Sequence, residues 1–248
     1  MNQPPLVAVA HGSRDPAAAM AVSSLTAEVR RQRPGLTVAC CYLEHASPSL
    51  PDAIATVGSG AVVVPLLLTA AFHSSVDLPA QLAAADPTAV QAGVLGPDPL
   101  LLTALERRLT EVGVAPGDRG TAVVLAAAGS TDPAARRAIR ELAREWARRG
   151  WWAVEPAYAS AGEPTVTEAV DALRQRGAPR VAVASYLLGP GLFADRVAAS
   201  GADVVSDPLA DAPEVAAVVI ARYDDAAAVP AQTPTRALFP GSGGNNSA

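Results

Sequence analysis

The chain repeats itself. Gly12-Ser13 and Asp15-Pro16 return as Gly129-Ser130 and Asp132-Pro133, 117 positions later. Tyr42 and Pro48 return as Tyr158 and Pro164, 116 positions later, and Val62-Val63-Val64 as Val181-Ala182-Val183, 119 positions later. Near-equal offsets in the same order mean that one supersecondary unit has been built twice. Between the copies, Val114 to Gly120 is a run of turn residues and forms the natural boundary. The sequence therefore predicts an N-terminal half over residues 1–117, a C-terminal half over 118–223 and a disordered tail over 224–248. The tail is rich in Ala, Pro, Gly, Ser and Asn and lacks periodicity.

Within each unit, apolar runs alternate with helical stretches. Strands are expected at 6–10, 36–42, 61–68 and 88–95, then at 121–127, 151–158, 180–188 and 203–205. The runs are short and apolar enough to be covered on both faces, and the connections are of βαβ length. A helix start is marked by Asp15-Pro16, an N-cap before a proline in the first turn, and the pair returns as Asp132-Pro133. The last helix is expected over 213–223. This is an α/β pattern with parallel sheets, and the repeat implies two similar halves facing each other across a cleft. Pro65 is at odds with a continuous strand, because it removes a ladder donor. Either pairing stops there or the missing N–H faces away from a neighbour.

Parallel sheets carry their ligand sites outside the C-terminal strand ends. Three candidate ligands follow three successive strands of the first half: His11, Glu44 and His73. Two imidazoles and a carboxylate suit divalent iron, cobalt, nickel or zinc, and three protein ligands leave coordination positions open. The second half is an internal control. Where the first has His11, Glu44 and His73, it has Ala128, Ser160 and Leu192. The turn residues persist and the candidate ligands do not, which points to one site on the first half, walled by the second. Against this stand plainer roles: His11 or His73 as a capping or core residue, and Glu44 as an exposed loop carboxylate. His45, the remaining histidine, is expected to point away from Glu44 by strand alternation.

Ser13 follows its glycine directly and reads as a turn hydroxyl or hydrogen-bond donor, not a strained nucleophile. Arg14 and Arg196 fall on expected cleft loops and could bind carboxylates; a solvated surface position is the simpler alternative. Gly189-Pro190-Gly191 is a turn able to approach a ligand. The run Arg136, Arg137, Arg140, Arg144, Arg148 and Arg149 is expected to form a solvated helix face.

A formal charge of −5 argues against nucleic acid as a partner. No G-x-G-x-x-G or phosphate-binding loop is present, and no apolar run is long enough for a membrane span. All nineteen basic residues are arginine. Cys40 and Cys41 are adjacent, a poor geometry for a disulfide, and are expected to be reduced. With no signal-peptide pattern at the start, the cytoplasm is the expected compartment.

The order strand-His11-Gly12-Ser13-Arg14-Asp15-Pro16 resembles the opening of the sirohydrochlorin chelatases, the class II chelatases. Leu43-Glu44 before Pro48-Ser49-Leu50 resembles them too, as does Pro65-Leu66-Leu67-Leu68 before His73 and Val76-Asp77-Leu78-Pro79. One departure is Thr69-Ala70-Ala71-Phe72 before His73, where the family usually has a glycine and a polar or aromatic residue. The resemblance implies two Rossmann-like halves enclosing a tetrapyrrole cleft. It also implies insertion of Fe²⁺ or Co²⁺ into sirohydrochlorin with release of two protons, with no tightly bound cofactor. The family's metal-binding and proton-accepting histidines fall on His11 and His73, and its active-site glutamate on Glu44. Sirohydrochlorin carries eight carboxylates, so Ser13, Arg14 and Arg196 are the expected substrate-binding residues. The expected state is a monomer with an internal pseudo-two-fold. The alternatives are a non-catalytic tetrapyrrole or metal carrier on the same fold, a related cobalamin-pathway enzyme, and a different metal enzyme such as an Fe(II) oxygenase.

Overall fold

The computed structural model describes residues 3–69 and 78–228. It contains two four-stranded parallel sheets of matching topology. In the first, β1 (Leu6–Ala10), β2 (Val38–Tyr42), β3 (Val62–Pro65) and β4 (Val90–Gln91) lie in the order β2-β1-β3-β4. In the second, β5 (Thr121–Ala127), β6 (Ala153–Tyr158), β7 (Arg180–Tyr186) and β8 (Val204–Val205) lie in the order β6-β5-β7-β8. The helices are α1 (Pro16–Gln32), α2 (Leu50–Val57), α3 (Leu78–Ala85), α4 (Pro99–Glu111), α5 (Pro133–Ala147), α6 (Val166–Gln175), α7 (Leu192–Ala198) and α8 (Pro213–Ala227).

The repeated residues build the same local devices twice. Asp15 caps α1 by accepting from Ala17 N–H, and Asp132 caps α5 by accepting from Ala134 N–H. Ser13 Oγ accepts from Asp15 N–H, as Ser130 Oγ does from Asp132 N–H. Tyr42 N–H donates to Pro48 C=O at 3.0 Å, and Tyr158 N–H to Pro164 C=O at 3.0 Å. Reciprocal capping boxes start α2 at Ser49/Asp52 and α6 at Thr165/Glu168.

Strand alternation sorts the apolar residues between the two faces of each sheet. Leu6 and Ala8 of β1 join Val123 and Leu125 of β5 in one core shared by both sheets. Val7 and Val9 instead pack outward on Leu50, Ile54 and Leu82 of α2 and α3. Val124 and Ala126 do the same on Val170 and Leu173 of α6. Pro65 ends β3, opposite Val9. Val62 and Leu66 donate toward the β1 side, to Pro5 and Val9 carbonyls, so position 65 faces β4, whose pairing stops at Gln91. The missing N–H therefore has no ladder partner to lose.

Chain order and packing part company at the last helix of each half. α4 packs against β7 and α8, whereas α8 packs against α1, β3 and β4. Tyr223 Oη donates to Pro4 C=O at 2.6 Å, and Arg222 holds the Val94 and Leu95 carbonyls and Asp98. Each half thus lends its final helix to the other, so the expected C-terminal half over 118–223 does not pack as one block. α8 also runs past Tyr223, where the tail was expected to begin. Asp224 takes a bidentate ion pair from Arg33 at 2.9 Å, which favours one more helical turn. The rest of the expected tail, from residue 229, lies outside the described residues. Six of the eight strands are shorter than expected, β4 above all: only Val90 and Gln91 pair with β3. α7 was not foreseen, since seven residues behind a Gly-Pro-Gly turn give no readable period. Among the described residues, no helix is long and apolar enough to cross a membrane.

Candidate active site

The C-terminal ends of both sheets open on one cleft with two lobes. The first, about 360 Å³, lies between the β1–α1 junction and the segment from Leu187 to Ala194. The second, about 400 Å³, lies between the β5–α5 junction and the end of β3. Both volumes suit a small-molecule site. The lobes share His11, Leu66, Ala128, Leu187, Leu188 and Phe193. His11 therefore stands where they meet, with Ala128, its counterpart in the repeat, beside the same junction.

His11 reaches this point because β1 ends at Ala10 and the chain turns sharply at Gly12. The Gly12 φ of +97° is a backbone conformation that L side chains rarely adopt, and a Cβ there would collide with the Glu44 carbonyl oxygen. That close approach lets Glu44 N–H donate to His11 C=O at 2.9 Å. The two loops are thus joined through their backbones. The Glu44 carboxylate, half exposed, lies 3.4 Å from His45 Nε2 and does not line either lobe. His45 was expected to point away from Glu44 and sits beside it instead. Its φ of +63° takes it off the strand path, so alternation no longer governs where it points.

The other expected site residues separate. Ser13 lines the first lobe, with its Oγ accepting from Asp15 N–H at 3.0 Å. Arg14 is exposed and lines neither lobe. Arg196 is exposed on α7, donates to Ala159 C=O at 3.0 Å and also lines neither lobe. His73 lies outside the described residues. Among the described residues, no three His, Cys, Asp or Glu side chains gather closely enough to hold a metal ion.

The walls are chiefly apolar. α1 offers Ala18, Ala19, Ala21 and Val22, and the Gly189-Pro190-Gly191 turn lines the same lobe, with Gly189 close against Ala21. Among the described lining residues, Arg136 carries the only fixed charge. It was expected on a solvated helix face but lies on the first turn of α5 in the wall of the second lobe. The repeat held the signal: position 136 corresponds to Ala19, which lines the first lobe. At the floor, burial raises the Tyr186 phenol above the usual tyrosine range, with the nearby Asp98 carboxylate adding to the effect. Its hydroxyl is a donor, to Leu68 C=O at 3.0 Å. It ties the second sheet to the end of β3. Cys40 and Cys41 are free thiols. Burial, with a smaller push from Cys40, raises the Cys41 thiol to about 12, which keeps it protonated and unreactive.

The model of the CbiX family matches residues 5–112 and 122–226, one stretch for each copy of the repeat. The chain is 29% identical over 202 residues to a sirohydrochlorin ferrochelatase of Priestia megaterium, covering 76% of this chain and 74% of that one. It is 28% identical over 203 residues to a sirohydrochlorin cobaltochelatase of the same organism, covering 76% of this chain and 65% of that one. SirB from Bacillus subtilis, solved with Fe³⁺, superposes with a TM-score of 0.77 at 22% identity, over 91% of this chain and 96% of that one. At that identity, the superposition speaks for the fold.

Proposed function

The chain belongs to the CbiX family, and from that membership we propose that it is a sirohydrochlorin chelatase. It inserts Fe²⁺ or Co²⁺ into the tetrapyrrole with release of two protons. The observation that carries this reading is the place of His11: an imidazole where two apolar lobes meet, with alanine in its place on the opposite half.

The chemistry asks little else of the protein. The ring must be held between apolar walls, its two pyrrole protons must be accepted, and a divalent cation, itself a substrate, must be delivered and released. Imidazole titrates near 6.5, so at working pH it can bind a cation or accept a proton. His11 and His73 would handle the metal and the protons. Glu44 would relay protons outward, since its backbone is bonded to that of His11 and its carboxylate is half exposed. Ser13 would donate to the ring's edge from the first lobe. One chain supplies both walls, which favours a monomer, and the site needs no resident cofactor. A water-borne ring and ion fit a cytoplasmic enzyme.

The test is anaerobic metalation followed by absorbance. Purified protein with sirohydrochlorin and Fe²⁺ or Co²⁺ is expected to metalate the ring at least a hundredfold faster than a protein-free control. Rates equal to the control would leave only a carrier. Iron and cobalt are compared in the same assay, because imidazole and carboxylate accept both and the donor set does not separate them.

A further inference from the structure

We propose that Arg136 is a carboxylate-recognition residue that sets which edge of the ring enters the second lobe. The inference rests on the chelatase reading for its ligand, but its grounds lie in the asymmetry of the two halves. The lobes are built by the same elements in exchanged roles. Ala18, Ala19 and Val22 of α1 line the first, and Ala135, Arg136 and Ile139 of α5 line the second. Two of these three pairs are apolar on both sides. In the third, alanine faces one lobe and arginine the other.

The fold does not require that arginine. Alanine satisfies the same helical position in the first half, and arginine brings side-chain entropy and partial desolvation that alanine avoids. Arg136 is half-buried and pairs with no carboxylate among the described residues. Its Nη1 donates to Ser130 C=O at 3.0 Å, which fixes the guanidinium against the loop. Of the five donors of a guanidinium, that is one, and a planar fork is suited to a bidentate carboxylate. Arg14 and Arg196, the arginines expected in this role, line neither lobe. A ring with carboxylates on its rim would thus meet His11 at the junction, apolar residues over its faces and one fixed cation at one side. A single cation on one side of a pseudo-symmetric cleft breaks the symmetry and selects an orientation.

The experiment measures binding of metal-free sirohydrochlorin by fluorescence titration, and turnover at saturating ring, for the unaltered protein and for R136A, R136Q and R136K. Thermal melts check folding. The expected result is a Kd about tenfold higher in R136A and R136Q, a partial recovery in R136K, and a kcat lowered less than threefold in all three. An unchanged Kd in R136A, or R136Q binding as well as the unaltered protein, overturns the recognition role alone. Failure of the unaltered protein to bind the ring overturns the chelatase reading, and this role with it.

Discussion

Replacing Gly12 by alanine tests whether the approach of two loops positions His11. A residue other than glycine at a φ near +97° costs on the order of 1–3 kcal/mol in backbone strain. The added Cβ would collide with the Glu44 carbonyl oxygen, so one loop must move and the Glu44–His11 backbone bond is lost, about 1 kcal/mol more. The sum is roughly 2–4 kcal/mol. In a protein of this size that lowers Tm by roughly 5–15 °C. Gly129→Ala is the matched control. Its φ is +98°, and a Cβ there would meet the Ala161 backbone, but the neighbouring residue is Ala128, not His11. Both variants should melt earlier by similar amounts in a calorimetric scan. Only Gly12→Ala should lose more than a hundredfold in kcat for metal insertion, measured well below its Tm. Equal losses of kcat in the pair would refute the argument that this loop contact matters through His11. An unchanged Tm in Gly12→Ala would refute the close approach itself.

Three further outcomes are expected. His11→Ala should lower kcat by about 10²–10⁴ with Tm within about 2 °C of the parent, because His11 is exposed; a variant unfolded at ordinary temperature would make the residue structural. Glu44→Gln should slow turnover more than it weakens ring binding, as judged by kcat beside a fluorescence Kd, and the reverse would give Glu44 a substrate-positioning role. Asp203 accepts from Val181 N–H at 2.6 Å and from Arg174, and the Val181 bond foremost holds its carboxyl below the usual range. A depressed carboxylate stabilises the fold above its unfolded pKa, near 3.9, and loses that contribution as pH falls through the folded value. Asp203→Asn should therefore melt below the parent at pH 7, with the gap closing under about pH 4; a gap that stays constant with pH would exclude the ionised carboxyl as its cause.

Much of the fold was legible because its signals are local. The apolar runs, the Asp-Pro helix starts and the Gly12/Gly129 turns act within a few residues of themselves, and β5 lies where its run of seven buried residues put it. The shared topology follows from the repeat. For the site, strand order puts His11 at the C-terminal end of β1, where it lines both lobes, whereas His73 falls outside the described residues, and Arg14 and Arg196 line neither lobe. Strand alternation misplaces His45 because its own positive φ ends that alternation. The charge run by itself puts Arg136 with Arg137 and Arg140 on a solvated face, because helical charge runs usually face water. A one-dimensional pattern does not say that the first turn of α5 borders a cavity.

What the sequence determined by itself was the unit and its duplication, since hydrophobic period, capping and glycine turns are properties of neighbouring residues. Only the tertiary structure decided that α4 and α8 exchange halves and that His11, Leu187 and Phe193 line one cleft. It alone placed Arg136 in the wall of the second lobe, where the matching wall of the first has Ala19. Those outcomes depend on which buried faces find each other across more than a hundred residues of chain. Such pairings are set by complementary packing of the shared core, and no local spacing encodes them.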